Sequence, residues 1–331
     1  MAAYPSNIAL GIDIGGSGIK GAPVDLETGT FFAPRHRIPT PQPATPEAVA
    51  ATVAELVQHF DPDGELPIGI DLPAPILDGV IPSMANLDKS WAGVNGDELF
   101  ANVLGRPVTL VNDADAAGYA EVRYGAAVGR SGLTIVLTLG TGIGSALVVN
   151  DVLVPNTELG HVELDGYDAE TRASSAVYER EKLSYKQWAK RLQRYLSYLE
   201  GLFFPSVFII GGGISRKSEK FLPLIDTRAP LIPARLLNTA GIVGSALLAA
   251  EAVGRAPGTI TPLPPLPEKA DEGRKADAPR RTKAKKVGSR KKNTSKAGKF
   301  TSESNKGNRS KQSSTSKKDK VKKAKKKQKK A

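Results

Sequence analysis

The chain has 331 residues and a formal net charge of +12, and this charge is unevenly distributed. Residues 256–331 hold 26 Lys and Arg against 6 Asp and Glu, whereas residues 1–255 hold 20 against 28. The sequence has no apolar run long enough to span a membrane and no N-terminal signal-peptide pattern. The absence of cysteine excludes disulfides, thiolate catalysis and Cys-ligated zinc, so we expect a cytoplasmic protein.

The first half of the body predicts alternating strands and helices. An apolar run that ends in glycines, at 8–14, is typical of a buried strand. Residues 46–60 open with Pro and Glu and repeat apolar residues at helical spacing, which predicts a helix. The other predicted strands lie at 21–26, 30–38, 67–72 and 107–111, and another helix at 113–123.

The second half repeats the same order of elements. Strands are predicted at 133–139, 143–149, 152–155 and 206–210, and helices at 168–180, 184–202, 215–225 and 240–253. This repetition predicts an α/β fold of two lobes with a cleft between them. We expect a small lobe at 1–112, closed by the helix at 240–253, and a large lobe at 113–239. Ligand-binding loops are expected at the carboxyl ends of the strands.

The composition changes after residue 255. The segment that follows is rich in proline and is expected to be an extended spacer. Residues 269–331 are mostly Lys, Ser, Ala, Thr, Asn and Gly, with a single aromatic residue. Such a segment cannot bury enough apolar surface to offset its ordering entropy, so a disordered basic tail is predicted.

Three glycine-rich turns follow predicted strands, at 13–18, 139–145 and 211–215. Glycine lets backbone N–H groups approach a phosphate closely, and Ser or Thr adds hydroxyl donors. One such turn is usually only a turn, but three at corresponding strand ends indicate phosphate binding. Neither a P-loop nor a Rossmann fingerprint is present, because the sequence lacks GxxxxGK[ST] and its GxGxG lies between strands.

Polar side chains lie near the ends of two strands. Asn112 and Asp113 come directly after the run VTLV, where Asp113 could cap the next helix, face the cleft, or do both. Glu158 and His161 lie three residues apart after another strand. Their simplest interpretation is a polar surface loop, and the alternative is a ligand-binding pair.

Several motifs, in this order, resemble the ROK sugar kinases of the actin-like ATPase superfamily. They are DIGGSGIK at 13–20, NDADAAG at 112–118, LGTGIGS at 139–145, ELGH at 158–161 and GGGISRK at 211–217. Further segments resemble the branch of that family that uses inorganic polyphosphate. These are TPQPATPEAV at 40–49, ANLDKSW at 85–91, PNTELGH at 155–161 and NTAGIVG at 238–244.

The resemblance implies a role for each matched residue. Asp113 corresponds to the catalytic base. The implied sugar-binding residues are Asn86, Asn112, Glu158, His161 and Glu170. The implied phosphate- and nucleotide-binding residues are Asp13, Gly15, Gly16, Ser17, Gly18, Lys20, Gly140, Thr141, Gly142, Gly144, Gly211, Gly212 and Gly213. Asp13 would also hold Mg²⁺ through water.

The implied activity is transfer of a phosphoryl group to the 6-hydroxyl of glucose, with polyphosphate and/or ATP as donor. The resemblance also implies a homodimer, and no zinc, because the family's CxCGxxGC motif is missing. The chain departs from the family at Pro73-Ala74-Pro75, where relatives usually have Pro-Gly. If that turn needs a positive φ at position 74, alanine would be strained.

Two other functions remain open. ROK proteins include sugar-responsive repressors, but those have a helix-turn-helix domain before the kinase-like body, and only about seven residues precede the first strand here. The chain could instead be a nucleic-acid-binding protein that acts through its tail. The tail itself has three interpretations: a nucleic-acid tether, a segment that concentrates polyphosphate, or an inert extension.

Overall fold

The computed structural model describes residues 4–255. The predicted spacer and disordered tail lie outside these described residues. Within residues 4–255, no helix has both the length and the apolar character needed to cross a bilayer.

The described chain alternates strands and helices, as predicted. The strands are β1 (Ile8–Gly15), β2 (Gly18–Asp25), β3 (Thr30–Phe31), β4 (His36–Ile38), β5 (Ile68–Leu72), β6 (Val80–Ile81), β7 (Val94–Asn95), β8 (Thr109–Asn112), β9 (Leu133–Leu139), β10 (Ile143–Val149), β11 (Val152–Val154), β12 (Glu163–Leu164), β13 (Tyr167–Asp168), β14 (Val207–Gly211) and β15 (Leu231–Pro233). The helices are α1 (Pro46–Phe60), α2 (Gly96–Leu104), α3 (Asp113–Arg123), α4 (Glu170–Ala173), α5 (Ser175–Arg180), α6 (Tyr185–Phe203) and α7 (Ala240–Ala252).

Two mixed sheets organise the body, and they share one plan. The first has the order β3-β2-β1-β5-β8, with β4 paired to β2, and the second has the order β11-β10-β9-β14-β15. In each, an antiparallel hairpin around a glycine turn is followed by parallel strands. Since parallel strands present their carboxyl ends at one edge, each sheet gathers its loops at that edge.

The first sheet carries a row of charged residues in register across four strands. Asp13 on β1 lies opposite Lys20 on β2 and opposite Asp71 on β5, and Arg37 on β4 lies opposite Lys20. Directly opposed residues project from the same face of a sheet. Two carboxyl groups and two basic side chains therefore share one face, next to the first glycine turn.

Helix α7 packs very closely on the first sheet, and glycines allow it to do so. A Cβ at Gly11 on β1 would collide with the carbonyl oxygen of Ile242, and one at Gly69 on β5 with that of Ser245. Gly244 of α7 faces the Ala116 carbonyl of α3 in the same way. The helix backbone therefore rests directly on β1, β5 and α3, which explains why glycines interrupt two apolar strands.

Several predicted elements differ from the observed ones. The strand predicted at 30–38 is broken into β3 and β4, and Pro34, which has no N–H to donate, lies in the gap. The helix predicted at 168–180 is divided at Ser174, the extended residue that precedes α5. The segment predicted as a helix at 215–225 forms two short 3-10 helices. Helix α2 and strand β15 were not predicted.

Candidate active site

A cavity of about 400 Å³ lies where loops from both sheets meet. Its walls include Pro73, Ala74 and Pro75, which follow β5, and the glycine turn between β9 and β10. Ten of the predicted site residues line it: Asn86, Asn112, Asp113, Gly140, Thr141, Gly142, Gly144, Glu158, His161 and Glu170. The volume is within the range of small-molecule sites.

Asp113 lines the cavity, and the residue before it caps the helix. The Oδ1 atom of Asn112 accepts hydrogen bonds from the backbone N–H groups of Ala114, at 2.8 Å, and Asp115, at 3.2 Å. The expectation that Asp113 could cap α3 is thus wrong: Asn112 is the N-cap, and Asp113 is the first helical residue. The carboxyl group of Asp113 is left available to the cavity.

The environment of Asp113 favours its protonated form. The carboxyl opens into the cavity, but protein surrounds its other sides. This desolvation, with the negative charges of Asp13 and Glu158, raises the pKa of Asp113 to about 7. The group can therefore exchange a proton near neutral pH.

Asp115 is a second acidic residue of α3, and sequence reasoning missed it. Its side chain is buried, and its Oδ2 atom accepts a 2.6 Å hydrogen bond from the backbone N–H of Asn156. Its Oδ1 atom has no partner among the described residues. Burial raises the pKa of Asp115 to about 7.

Ser145 holds the segment that contains Glu158. Its hydroxyl donates to the Thr157 carbonyl at 2.6 Å and accepts from the Leu159 N–H at 2.9 Å. Glu158 lies between these two contacts and lines the cavity. Partial burial raises the pKa of the Glu158 carboxyl, while the charge of His161 opposes that change.

His161 and Glu170 line the cavity, and both contact the side chain of Asp168. Asp168 Oδ2 lies 2.8 Å from His161 Nδ1, and Asp168 Oδ1 accepts from the Glu170 N–H at 3.2 Å. The hydrogen bond to Asp168 raises the pKa of the His161 imidazole. On its other side, His161 Nε2 lies 3.9 Å from Glu158 Oε2.

The second glycine turn contacts the predicted sugar residues directly. Glu170 Oε2 accepts a 3.0 Å hydrogen bond from the Ile143 N–H. A Cβ at Gly142 would collide with that same oxygen, so Glu170 occupies space that only glycine leaves open. The Ser175 hydroxyl donates to the Gly140 carbonyl at 3.0 Å and holds the turn from the other side.

The first glycine turn lies beside the cavity rather than in its wall. A Cβ at Gly16 would be 3.2 Å from the Asn86 carbonyl oxygen, so the turn approaches the predicted sugar loop. Lys20 Nζ donates to Asp13 Oδ2 at 2.7 Å. The guanidinium group of Arg37 donates to the Ser17 carbonyl at 2.5 Å, a contact that the sequence did not predict.

Three predicted glycines remain, and all of them lie outside the cavity wall: Gly211 ends β14, and Gly212 and Gly213 follow it. Gly212 has a φ of 81°, and a Cβ there would collide with the Leu139 carbonyl. This turn is therefore packed against the end of β9, which leads into the second glycine turn.

The unusual Pro73-Ala74-Pro75 turn does not need a positive φ at Ala74. Positive φ values in this segment occur at Asp78 and Gly79 instead. Ala74 is buried in the wall, and its N–H donates to the Leu72 carbonyl at 2.9 Å. The strain expected for alanine is thus absent, because the positive φ values lie at Asp78 and Gly79 and not at Ala74.

Sequence reasoning missed several polar residues of the site. Ser83, Thr138 and Ser145 line the cavity, and Asp168 lies behind it. Ser145 belongs to the quoted motif LGTGIGS, so its position could have been noticed. No local pattern distinguishes Asp168, which reaches His161 only because a hairpin folds back.

The sequence and the fold of the chain match those of known proteins. The model of the ROK family matches residues 9–177. The chain is 52% identical over 238 residues to the polyphosphate glucokinase of Mycobacterium tuberculosis (strain CDC 1551 / Oshkosh), covering 72% of this chain and 89% of that protein. The inorganic polyphosphate/ATP-glucomannokinase of Arthrobacter sp. strain KM is 51% identical, with a TM-score of 0.70 over 74% of this chain and 99% of that one. The ROK hexokinase of Thermus thermophilus is 26% identical, with a TM-score of 0.63 over 75% of this chain and 99% of that one.

Proposed function

The chain belongs to the ROK family, and from this membership we propose that it is a kinase that phosphorylates glucose at the 6-hydroxyl, with inorganic polyphosphate or ATP as donor. Its two mixed sheets have the actin-like fold of ROK sugar kinases. The single observation that carries the proposal is the position of Asp113 in the wall of a cavity lined by the other polar residues of the family motifs.

Asp113 is the proposed catalytic base. Phosphoryl transfer depends on alignment and charge neutralisation, and the attacking hydroxyl must lose its proton. A pKa of about 7 lets Asp113 accept that proton near neutral pH. Asn112 supports this role, because it caps the helix that begins at Asp113.

The sugar would be held by groups around the base. Glu158, His161 and Glu170 present two carboxylates and an imidazole from one wall of the cavity, and Asn86 and Asn112 contribute amides. Carboxylates and amides recognise sugar hydroxyls by hydrogen bonds with defined directions. Such contacts would align one hydroxyl with Asp113, and alignment supplies much of the acceleration in transfer reactions.

The phosphoryl donor would bind along the glycine turns. Thr141 and the backbone of Gly140 and Gly142 line the cavity, and Lys20 lies beside it, where it pairs with Asp13. Backbone N–H groups and a lysine would stabilise charge on the transferred phosphoryl group. The third turn, at 211–213, is proposed to meet the adenosine end of ATP.

The residues present fit a bound Mg²⁺ ion. Asp13 lies near Asp71 and Asp113, and its negative charge raises the pKa of both carboxyls, so three carboxyl groups are gathered there. Carboxylate oxygens are hard ligands that suit Mg²⁺. We assign Asp13 to hold the ion through water, where it would neutralise charge on the donor phosphates.

The test is formation of glucose 6-phosphate by the full-length protein with Mg²⁺, with ATP and long-chain polyphosphate compared as donors. Mannose serves as a second acceptor, because one relative is described as a glucomannokinase. Turnover of glucose with either donor is the expected result. Absence of turnover by folded protein with both donors would contradict the proposal.

A homodimer and a role for the basic tail are also part of the proposal. The edge strand β11 exposes Val152 and Val154, which supports a contact between copies. Light scattering should give twice the monomer mass, and a monomer would refute that part. Comparing the full chain with residues 1–255 at several salt concentrations, with polyphosphate and DNA as separate ligands, tests the tail.

A further inference from the structure

One carboxylate behind the cavity contacts two residues of the sugar wall. The Oδ2 atom of Asp168 lies 2.8 Å from His161 Nδ1, and its Oδ1 atom accepts a 3.2 Å hydrogen bond from the Glu170 N–H. Asp168 is not among the residues that line the cavity. It therefore touches the sugar-binding groups from behind rather than the sugar.

The backbone of Asp168 is well supported. Asp168 lies on β13, which pairs with β12 in a short hairpin whose turn contains Asp165 and Gly166, both with positive φ. Arg194 of α6 forms two hydrogen bonds with the Asp165 carboxylate, at 2.8 and 3.1 Å. The Arg172 guanidinium lies 3.7 Å from the centre of the Tyr167 ring. Both contacts are exposed at the surface of the hairpin, and the Asp168 carboxylate itself is held by its bonds to His161 and to the Glu170 N–H.

The contact with Asp168 decides which atom of His161 is offered to a ligand. A carboxylate accepts hydrogen bonds, so Nδ1 must carry the proton. The opposite nitrogen, Nε2, then points toward Glu158, 3.9 Å away, and remains free to bond a sugar hydroxyl. Without Asp168, the ring could rotate or change its tautomer.

We propose that Asp168 is a positioning residue of the sugar site, which holds the His161 ring and the first turn around Glu170 in the arrangement that recognises two neighbouring sugar hydroxyls. The inference rests on the proposed kinase function. It adds a residue that touches neither substrate, and it predicts an effect on sugar affinity rather than on phosphoryl transfer.

A metal ion is the alternative occupant of this cluster. Ligand atoms of His161, Asp168 and Glu170 all lie within 4.8 Å of one another. However, His161 and Asp168 already bond to each other, and Glu170 Oε2 already accepts from the Ile143 N–H. A metal ion would have to displace bonds that satisfy these groups, which favours the positioning role.

The experiment compares Asp168→Asn and Asp168→Ala with a matched control, Asp165→Asn, in the full-length protein. The control lies in the same hairpin and loses an exposed ion pair with Arg194. Both Asp168 variants should raise the glucose KM roughly ten-fold or more while kcat stays within roughly three-fold. The KM for polyphosphate and ATP should not change, and Asp165→Asn should behave like the wild type. Asp168→Glu should restore part of the glucose affinity.

A second readout does not depend on turnover. The chain has only three histidines, so ¹H–¹⁵N spectra of the imidazoles can be assigned. His161 should have a protonated Nδ1 in the wild type and lose this state in Asp168→Ala. Glucose titration by calorimetry without a donor should show the same loss of affinity. If the proposed function fails, glucose will not bind the wild type, but the histidine result will still report the contact.

Three outcomes would overturn the inference. One is an unchanged glucose KM in a folded Asp168→Ala variant. Another is an equal loss of glucose affinity in the Asp165→Asn control, which would indicate only a general effect on the hairpin. The third is stoichiometric Zn²⁺ in the purified wild type with a glucose KM that rises after EDTA treatment. Asp168→Asn, which preserves shape, supplies the comparison if Asp168→Ala does not fold.

Discussion

Asn156 bonds both Asp115, 41 residues earlier in the chain, and Ile76, 80 residues earlier. Its backbone N–H donates to Asp115 Oδ2 at 2.6 Å, and its side-chain amide bonds both the N–H and the carbonyl of Ile76, at 2.9 and 2.8 Å. Asn156 has a φ of 57°, which asparagine tolerates better than most residues. The helix that begins at Asp113, the segment before Glu158 and the turn after β5 are thus joined at one residue.

The first prediction concerns this connection. Asn156→Ala should raise the glucose KM several-fold, because two cavity walls lose their common support. It should also lower stability by about 2 kcal/mol, from two hydrogen bonds of about 1 kcal/mol each. Kinetics and urea unfolding measure the two effects.

Asn150→Ala is the control for Asn156→Ala. Asn150 also has a positive φ, and its side chain accepts from the Gly132 N–H at 2.7 Å, but it does not line the cavity. It should lose stability without a change in glucose KM. Equal changes of KM in the two variants would contradict the proposed connection.

The second prediction concerns the proposed base. Asp113→Asn should abolish turnover while glucose binding, measured by calorimetry, stays nearly intact. In the wild type, kcat/KM should rise as the pH passes through about 7, because the base acts in its deprotonated form.

Asp115 offers a second explanation of that pH dependence, because its pKa is also raised to about 7. Asp115→Asn keeps an acceptor for the Asn156 N–H. This variant should retain the rise of kcat/KM near pH 7. Two results would contradict the assignment of Asp113 as the base. One is loss of the rise of kcat/KM near pH 7 in Asp115→Asn, and the other is near-normal turnover in Asp113→Asn.

The third prediction uses two glycines of one turn. Gly142→Ala places a methyl group against the Glu170 carboxylate, so the glucose KM should rise roughly ten-fold or more. Gly140→Ala has open space around the added methyl group and should leave the glucose KM unchanged. Steady-state kinetics with glucose as the varied substrate distinguishes them, and similar values for the two would exclude the steric explanation.

The fourth prediction concerns Asp71, which is fully buried and has no hydrogen-bond partner among the described residues. Burial, with the nearby charge of Asp13, holds the pKa of Asp71 well above its usual value. The folded state therefore keeps a proton that the unfolded carboxyl releases above about pH 4, so the wild type loses stability as the pH rises from there.

Asp71→Asn has no titrating group at this position and should avoid that loss. Its melting temperature should exceed that of the wild type, and the difference should be larger at pH 8 than at pH 5. The exposed Asp63→Asn variant is the control and should show no such trend. A difference for Asp71→Asn that does not depend on pH would show that Asp71 is ionised in the fold.

The sequence predicted the regular elements well where the local pattern was strong. Helices α1 and α3 and strands β9 and β10 have the predicted bounds, because each combines a clear apolar period with a cap or a glycine turn. The prediction of a helix at 215–225 failed, because this segment forms 3-10 helices and no α-helix. Local signals also missed α2, a short helix with only two buried residues.

The amino-acid sequence by itself determined the α/β class, the order of the elements and the motif residues, because these depend on local periodicity, turn chemistry and short patterns. Only the tertiary structure decided which partner each polar group has. It made Asn112 the cap instead of Asp113, left Asp71 without a hydrogen-bond partner within residues 4–255, and brought Asp168 to His161. Hydrogen bonds and pKa values depend on distances of a few ångströms between segments far apart in the chain, and those distances exist only once the chain is packed.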